Sequence, residues 1–231
     1  MSAEKTNLEE TSNLLYLVRH GENQANITKE LSCRKVDYPL NEKGRLQAEQ
    51  TGRYFQTQQI DEIYCSPLKR AMETAEIICS WTSKEVVTME NFREIDVGEL
   101  EVMGNSPEAW RLHFEVLESW RNGNPERYFP GGDNYYTARN RMRRGVEHVL
   151  ANKHGLSIII VGHGGLFTTC MFDLCPAVDF STLMKMHNHN CSISKMQMSY
   201  INNAWQGELL QWADVSHLHG AAAELVSGLP E

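Results

Sequence analysis

The stretch Leu14-Leu15-Tyr16-Leu17-Val18-Arg19-His20-Gly21 decides the fold: five apolar residues in a row, stopped abruptly by an arginine, a histidine and a glycine. An uninterrupted apolar run of this length is the pattern of a strand buried on both faces, as parallel strands are when helices cover the sheet. A second such run, SIIIV at residues 157–161, also stops abruptly, at Gly162-His163-Gly164-Gly165. Ligands of an open α/β sheet bind beyond the carboxyl ends of its parallel strands, so the two runs bring His20 and His163 to one rim. The expected architecture is α/β, a three-layer sandwich with a mostly parallel central sheet and a helical cap insertion.

Outward from these strands, Asn41-Glu42-Lys43-Gly44 opens a helical pattern carrying Leu46, Ala48, Gly52 and Phe55, with Asn41 as its N-cap. The segment from Asp61 to Cys79 reads as a short strand, a helix start at Ser66-Pro67, and an amphipathic helix bearing Ala71, Met72, Ala75 and Ile78. Arg70 falls in the first turn of that helix, where free backbone N–H groups and the macrodipole already favour an anion. Trp110, Phe114, Leu117 and Trp120 follow at helical spacing, ahead of a loop rich in turn formers and aromatics; this is the expected cap, residues 103–135. Helices are predicted over 137–153 and 166–174, then a hairpin of ISKMQMSYI and GELLQWA turning at Asn202-Asn203. The domain reading is a flexible segment 1–13, one domain over 14–219, and an Ala/Gly/Glu-rich tail, 220–231, expected to fray.

The chain has 231 residues and a formal net charge of -8, with no basic footprint for a nucleic-acid backbone or an anionic membrane. A few arginines focused in one pocket still suit a small phosphorylated substrate. No basic, apolar leader and no membrane-length apolar run is present, and the reading is a cytoplasmic protein. The six cysteines lie far apart without a CxxC pair and are read as reduced thiols. No heptad or interface stripe fixes an oligomeric state.

Cleaving a phosphate monoester requires an in-line nucleophile, fixed positive charge on the equatorial oxygens, and a proton for the leaving group. His20 is the candidate nucleophile, since a neutral imidazole aimed by a hydrogen bond from its other nitrogen can accept a phosphoryl group. Arg19 and Arg70 would grip the phosphoryl oxygens with their N–H forks and hold His20 neutral.

LYLVRHGENQAN (15–26), DYPLNEKGRLQAEQTGRYF (37–55), IYCSPLKRAMETA (63–75), REIDVGELE (93–101) and IIIVGHGGL (158–166) together resemble the histidine phosphatase superfamily, which includes the cofactor-dependent phosphoglycerate mutases. A weaker echo continues in HNHNCSISKM and WADVSHL. The resemblance implies a phosphohistidine on His20, phosphate contacts from Arg19, Asn26 and Arg70, stabilisation of the transferring group by His163, and Glu94 as the acid that protonates the leaving oxygen. It implies no metal and no organic cofactor. Phe92 to Gly98 lacks the mutase branch's asparagine-glutamate-arginine-histidine-tyrosine-glycine signature, which points to the phosphatase branch. Gly98-Glu99-Leu100-Glu101-Val102 and Pro130-Gly131-Gly132-Asp133-Asn134 also depart from that branch's usual segments and leave substrate specificity open.

Several other residues are assigned ordinary roles. Glu22 is the alternative acid, read as positioning the loop after His20. His187, His189 and Cys191 alternate as on one strand face and are read as structural rather than metal-binding. Arg111, Arg121 and Arg127 become candidates for a second anionic group if the cap lines the pocket, and Arg139 to Arg144 reads as a solvated helix face. The function expected is a phosphomonoesterase for a small metabolite; the alternatives are a phosphoglycerate-type mutase and a catalytically silent phosphate-binding module.

Overall fold

Successive residues of the two apolar runs face opposite layers, as the period-two geometry of a strand requires. Leu15, Leu17, Ile158 and Ile160 enter one buried apolar cluster, while Tyr16, Val18, Ile159 and Val161 enter another. The computed structural model describes residues 12–179, 183 and 187–230. Its strands are β1 (Asn13–Arg19), β2 (Glu62–Cys65), β3 (Val86–Thr88), β4 (Ser157–Gly162), β5 (Ile193–Ile201) and β6 (Ala204–Asp214), in one sheet ordered β3-β2-β4-β1-β5-β6. The first four in that order run parallel, and β5 and β6 join antiparallel at the β1 edge. Each large side chain buried in the two clusters contributes about 1.5–3 kcal/mol, so a sheet apolar on both faces requires a helical layer on each.

One layer holds α2 (Glu42–Gln56) and α3 (Lys69–Thr82), preceded in the chain by the single-turn α1 (Gln24–Thr28). Phe55, Ala71, Ala75 and Ile78 supply their share of the second cluster. Asn41 caps α2 by accepting the Gly44 N–H at 2.7 Å, as expected. Helix α3 starts later than its sequence suggests: Leu68 occupies the N-cap with no side-chain cap bond, and Ser66 Oγ accepts the N–H of Leu68 itself at 3.3 Å. The same hydroxyl also bonds His163, at 2.7 Å, while Asp37 accepts the Lys69 N–H at 2.9 Å.

The opposite layer contains α4 (Pro107–Arg121), α5 (Tyr135–Leu150) and α6 (Gly164–Leu174). Trp110, Val116, Trp120 and Phe129 from segment 103–135 belong to the same apolar cluster as Leu15 and Ile160, so this insertion packs as part of the core layer. Phe114, grouped with the helix's apolar stripe, is instead 41% exposed. Trp110 Nε1 donates to the Lys29 carbonyl at 2.8 Å and Asn105 Nδ2 to the Thr28 carbonyl at 3.1 Å, tying the insertion to the chain beyond β1.

The hairpin forms where predicted, with Asn202 at φ 52° and Asn203 at φ 61°, the left-handed pair that a two-residue turn of matching twist needs. Residues 1–11 of the expected flexible segment lie outside the described residues, and Asn13 already belongs to β1. The tail expected to fray is placed against the domain instead. Gly220–Ala223 forms a 3-10 turn with Ala222 fully buried, and Gln47 Nε2 and Lys43 Nζ donate to the carbonyls of Ala222 and Glu224 at 3.2 and 2.8 Å. The apolar Leu218, Ala222 and Leu225 explain this, since they close a small cluster with Leu40, Ala48 and Cys191.

Candidate active site

The parallel register of β1 and β4 sets Arg19 opposite Gly162, and the His20 N–H donates to the Gly162 carbonyl at 2.9 Å. The two histidines that follow therefore lie side by side at the carboxyl ends of the strands, ring centroids 5.2 Å apart. The loop beyond His20 turns hard against the start of α2: a Cβ on Gly44 would lie 2.0 Å from the Glu22 carbonyl oxygen, so only glycine permits this contact.

His20 is 4% exposed, and its Nδ1 lies 2.7 Å from the Gly21 carbonyl, an acceptor only. Nδ1 therefore carries the proton, and Nε2 presents its lone pair, which accepts the Arg70 Nε–H at 3.0 Å. Burial, followed by the charges of Arg70 and Arg19, drives the His20 pKa well below the ordinary histidine value. The imidazole is neutral at neutral pH.

Arg70, 3% exposed, spreads its fork over several acceptors. Nη1 donates to Ser32 Oγ at 3.0 Å, while Nη2 donates to the Ser32 carbonyl at 2.8 Å and to His163 Nδ1 at 3.1 Å. Since His163 Nδ1 accepts, its Nε2–H donates to Ser66 Oγ at 2.7 Å. Burial and the charge of Arg70 lower the His163 pKa far below 6.5 as well.

Arg19 donates through Nη1 to the Asn188 carbonyl, and its buried Nε has no hydrogen-bond partner. Burial lowers its pKa to about 10, against the opposing pull of Glu94, so it remains cationic. Asn26 is the third residue of α1, where its side chain and that of the N-cap Asn23 satisfy each other's backbone N–H groups.

Glu94 docks on the start of α6. Its Oε1 accepts the N–H groups of Ile95 and Leu166 at 2.9 and 2.7 Å, and Oε2 accepts that of Gly165 at 3.1 Å. A Cβ on Gly165 would lie 2.9 Å from Glu94 Oε1, which accounts for the second glycine after His163. The Glu94 charge acts on both Arg19 and Arg70, which places the carboxylate within the same charged site.

All six residues singled out in the sequence thus border the ends of β1 and β4, and several others support them. Ser32 and Ser66 orient Arg70 and His163. Asn190, buried in the HNHNCSISKM segment, donates to the His20 carbonyl and to Asn26 Oδ1. Arg141, read as part of a solvated face, reaches the carbonyls of Asn91, Arg93 and Glu94 and pairs with Asp133 at 2.9 Å. It braces the strand of chain that carries Glu94. The flanking Arg139 and Arg143 pair with Asp173, which leaves only part of that run to solvent.

Glu22 is held by Asn41 Nδ2 at 2.8 Å and by Lys43 Nζ at 2.7 Å, the positioning role expected of it. His187, His189 and Cys191 share no strand face, because β5 begins only at Ile193 and Cys191 has φ 55°. Among the described residues no cluster of three His, Cys, Asp or Glu side chains is placed to hold a metal ion. Arg111 and Arg127 are both paired with Glu115, and Arg121 is exposed. The six cysteines are free thiols.

Residues 15–213 match the family model of the histidine phosphatase superfamily (branch 1), and the chain belongs to this superfamily. Within it, the chain is 31% identical over 220 residues to a probable phosphoglycerate mutase GpmB of Proteus mirabilis, an alignment covering 92% of this chain and 98% of that one. The corresponding protein of Cronobacter sakazakii is 31% identical over 221 residues, covering 91% and 97%. Among solved structures, Bacillus stearothermophilus YhfR superposes with a TM-score of 0.73 at 26% identity, covering 89% of this chain and 98% of its own. A mycobacterial glucosyl-3-phosphoglycerate phosphatase shares the fold with a TM-score of 0.75 at 20% identity, covering 88% of this chain and 100% of its own.

Proposed function

We propose that the protein is a phosphomonoesterase that hydrolyses a small phosphorylated metabolite through a phosphohistidine on His20. The observation that carries this reading is the paired hydrogen bonding of His20: Nδ1–H is spent on the Gly21 carbonyl, and the Nε2 lone pair faces the Arg70 guanidinium. A neutral, pre-aimed imidazole beside two arginines is what attack on a phosphate dianion requires. An entering phosphate offers Arg70 better acceptors than the two imidazoles, so the fork turns to the phosphoryl oxygens and frees Nε2. His163 can then supply a donor of its own, because the Ser66 hydroxyl can donate to Nε2 and leave the proton on Nδ1.

In the first step the Nε2 lone pair forms the N–P bond, the ester P–O bond breaks, and the leaving oxygen takes a proton from the Glu94 carboxyl group. In the second, Glu94 takes a proton from water, the new O–P bond forms, the N–P bond breaks, and orthophosphate leaves. Histidine and arginine supply the nucleophile and the positive charge, so no metal has a role in this scheme. A net charge of -8 suits a small substrate better than a polyanionic one.

A phosphoglycerate-type mutase is the second reading, favoured by the names of the GpmB relatives, and it uses the same phosphohistidine. Against it stands the segment Phe92 to Gly98, which lacks the mutase signature. The test is turnover of an aryl phosphate and of 3-phosphoglycerate in EDTA, with and without a bisphosphoglycerate primer, by wild type and His20→Ala. Orthophosphate released by wild type alone supports the phosphatase. Isomerised phosphoglycerate that depends on primer, with little orthophosphate, supports the mutase, and turnover without His20 contradicts both.

A further inference from the structure

We propose that Asn190 is a positioning residue that fixes which end of the Asn26 amide meets the transferred phosphoryl group. The inference rests on the phosphatase reading and on the phosphate contact that the family resemblance implies for Asn26. Asn190 is 2% exposed and lies in the turn between the last described helical elements and β5. Its Nδ2 donates to the His20 carbonyl at 3.0 Å and to Asn26 Oδ1 at 3.1 Å. Asn26 Oδ1 also accepts the Asn23 N–H at 3.1 Å. An amide oxygen has two lone pairs, and here both are committed.

An amide held this way cannot turn over without giving up both bonds, so the NH2 end of Asn26 is the end left for a ligand. That end lies on the same side as the Arg19 guanidinium, beside Gly228 of the tail. A Cβ built on Gly228 would lie 3.6 Å from Asn26 Nδ2 and 3.1 Å from Arg19 Nη2, which places the two donors around one small space. Asn190 thus joins two parts of the site, the backbone of the nucleophile and the side chain of a phosphate ligand.

The surrounding turn supports the same assignment. The Cys191 N–H donates to the carbonyls of Arg19 and His20 at 3.0 and 3.2 Å, Ser192 accepts the Arg19 N–H at 3.1 Å, and the Asn188 carbonyl accepts from Arg19 Nη1. The backbone of the turn fixes Arg19 and His20. Among the described residues of this turn it is the Asn190 side chain that bonds to Asn26, so its loss should be felt through Asn26 rather than through the fold.

Asn190→Asp tests this directly. The new carboxylate cannot donate to Asn26 Oδ1 and attracts the NH2 end instead, turning the amide oxygen toward the incoming phosphate. Orthophosphate binding is measured by titration calorimetry for wild type, Asn190→Asp, Asn26→Ala and the double variant, with KM and kcat for an aryl phosphate alongside. The expected result is about a tenfold or greater loss of orthophosphate affinity in Asn190→Asp, with KM rising more than kcat falls. In the Asn26→Ala background Asn190→Asp should cost markedly less, leaving only the repulsion between the buried carboxylate and phosphate, and Asn190→Ala, which adds no charge and leaves the His20 carbonyl its Cys191 N–H at 3.2 Å, should change affinity there by less than about twofold. An equal loss in both backgrounds, or no loss in either, overturns the proposal while the phosphatase reading stands. Wild type that fails to bind orthophosphate overturns both. Should Asn190→Asp not fold, the same cycle with Asn190→Ala applies with the same criteria.

Discussion

Arg70 Nε lies 3.0 Å from His20 Nε2, and it is this bond that couples the proposed phosphate grip to the proposed nucleophile. The guanidinium that would hold the phosphoryl oxygens also keeps the imidazole lone pair oriented before substrate arrives. One buried side chain therefore performs the work of two, and the remaining acceptors, Ser32 and His163, fix its plane.

Arg70→Lys is accordingly not a conservative change. An ammonium group preserves the charge but cannot reach His20, His163 and Ser32 from one rigid plane. Turnover should fall roughly 10²–10³-fold, as when a charge-stabilising donor is removed from a closed site. Steady-state kinetics on an aryl phosphate measures this, and activity within a few fold of wild type would show that the fork geometry is dispensable.

Glu94→Gln separates acid catalysis from phosphate binding. In the phosphorylation step, read as the pre-steady-state burst of leaving group, an alkyl phosphate needs a proton on its leaving oxygen and should slow about 10²–10⁴-fold, whereas a nitrophenyl phosphate, whose leaving group departs as the anion, should slow less than about tenfold. Equal losses on both substrates would assign Glu94 to holding the start of α6 through its bonds to Gly165 and Leu166 rather than to proton transfer.

Arg141→Ala removes the brace behind Glu94, leaving the carbonyls of Arg93 and Glu94 without their donor. A stability loss of about 2 kcal/mol is expected in chemical denaturation. The rate penalty should follow the leaving group as it does for Glu94→Gln, but be smaller. A variant as stable as wild type, with unchanged kinetics, would return Arg141 to the solvated face from which sequence periodicity drew it.

The histidines set how stability depends on pH. Burial is the largest cause of the lowered pKa of His20, His113, His163 and His217, and for His113 and His217 the value falls to about 4. Above pH 6.5 both folded and unfolded chains hold these rings neutral and the full stability is present. As pH falls from 6.5 toward 4 the unfolded chain binds protons that the folded one refuses, so stability drops by up to about 1.4 kcal/mol per pH unit for each ring. His113 stacks on Phe129 with centroids 5.4 Å apart, and its Nδ1 has no partner. His113→Phe should therefore lose less stability than wild type between pH 7 and 4.5 in urea titrations, and parallel losses would show that His113 does not contribute.

Much of this was legible in the sequence for a physical reason. Apolar runs without interruption at 14–18 and 157–161 admit few roles other than buried parallel strands, and their abrupt ends place the histidines. Capping chemistry located α2, and the Asn202-Asn203 pair located the hairpin. What was missed is nonlocal. No local pattern says that Ser66 bonds across 97 positions to His163 rather than capping α3, or that Arg141 turns inward to carbonyls 47 and 48 residues away. The composition of the tail resembles a linker, while Ala222 and Leu225 find partners only once the fold exists. Asn190 lies within the HNHNCSISKM segment, but its value depends on a bond to Asn26, 164 positions earlier.

The central claim is a covalent phosphohistidine on His20, and the most direct measurement is intact and peptide mass spectrometry after rapid quenching of enzyme with excess aryl phosphate at alkaline pH, where phosphohistidine survives. The account predicts one phosphoryl group, acid-labile and base-stable, on the peptide containing His20 in wild type and none in His20→Ala. A phosphoryl group on another residue, or none in wild type while the ester is being hydrolysed in a single direct step, would contradict it.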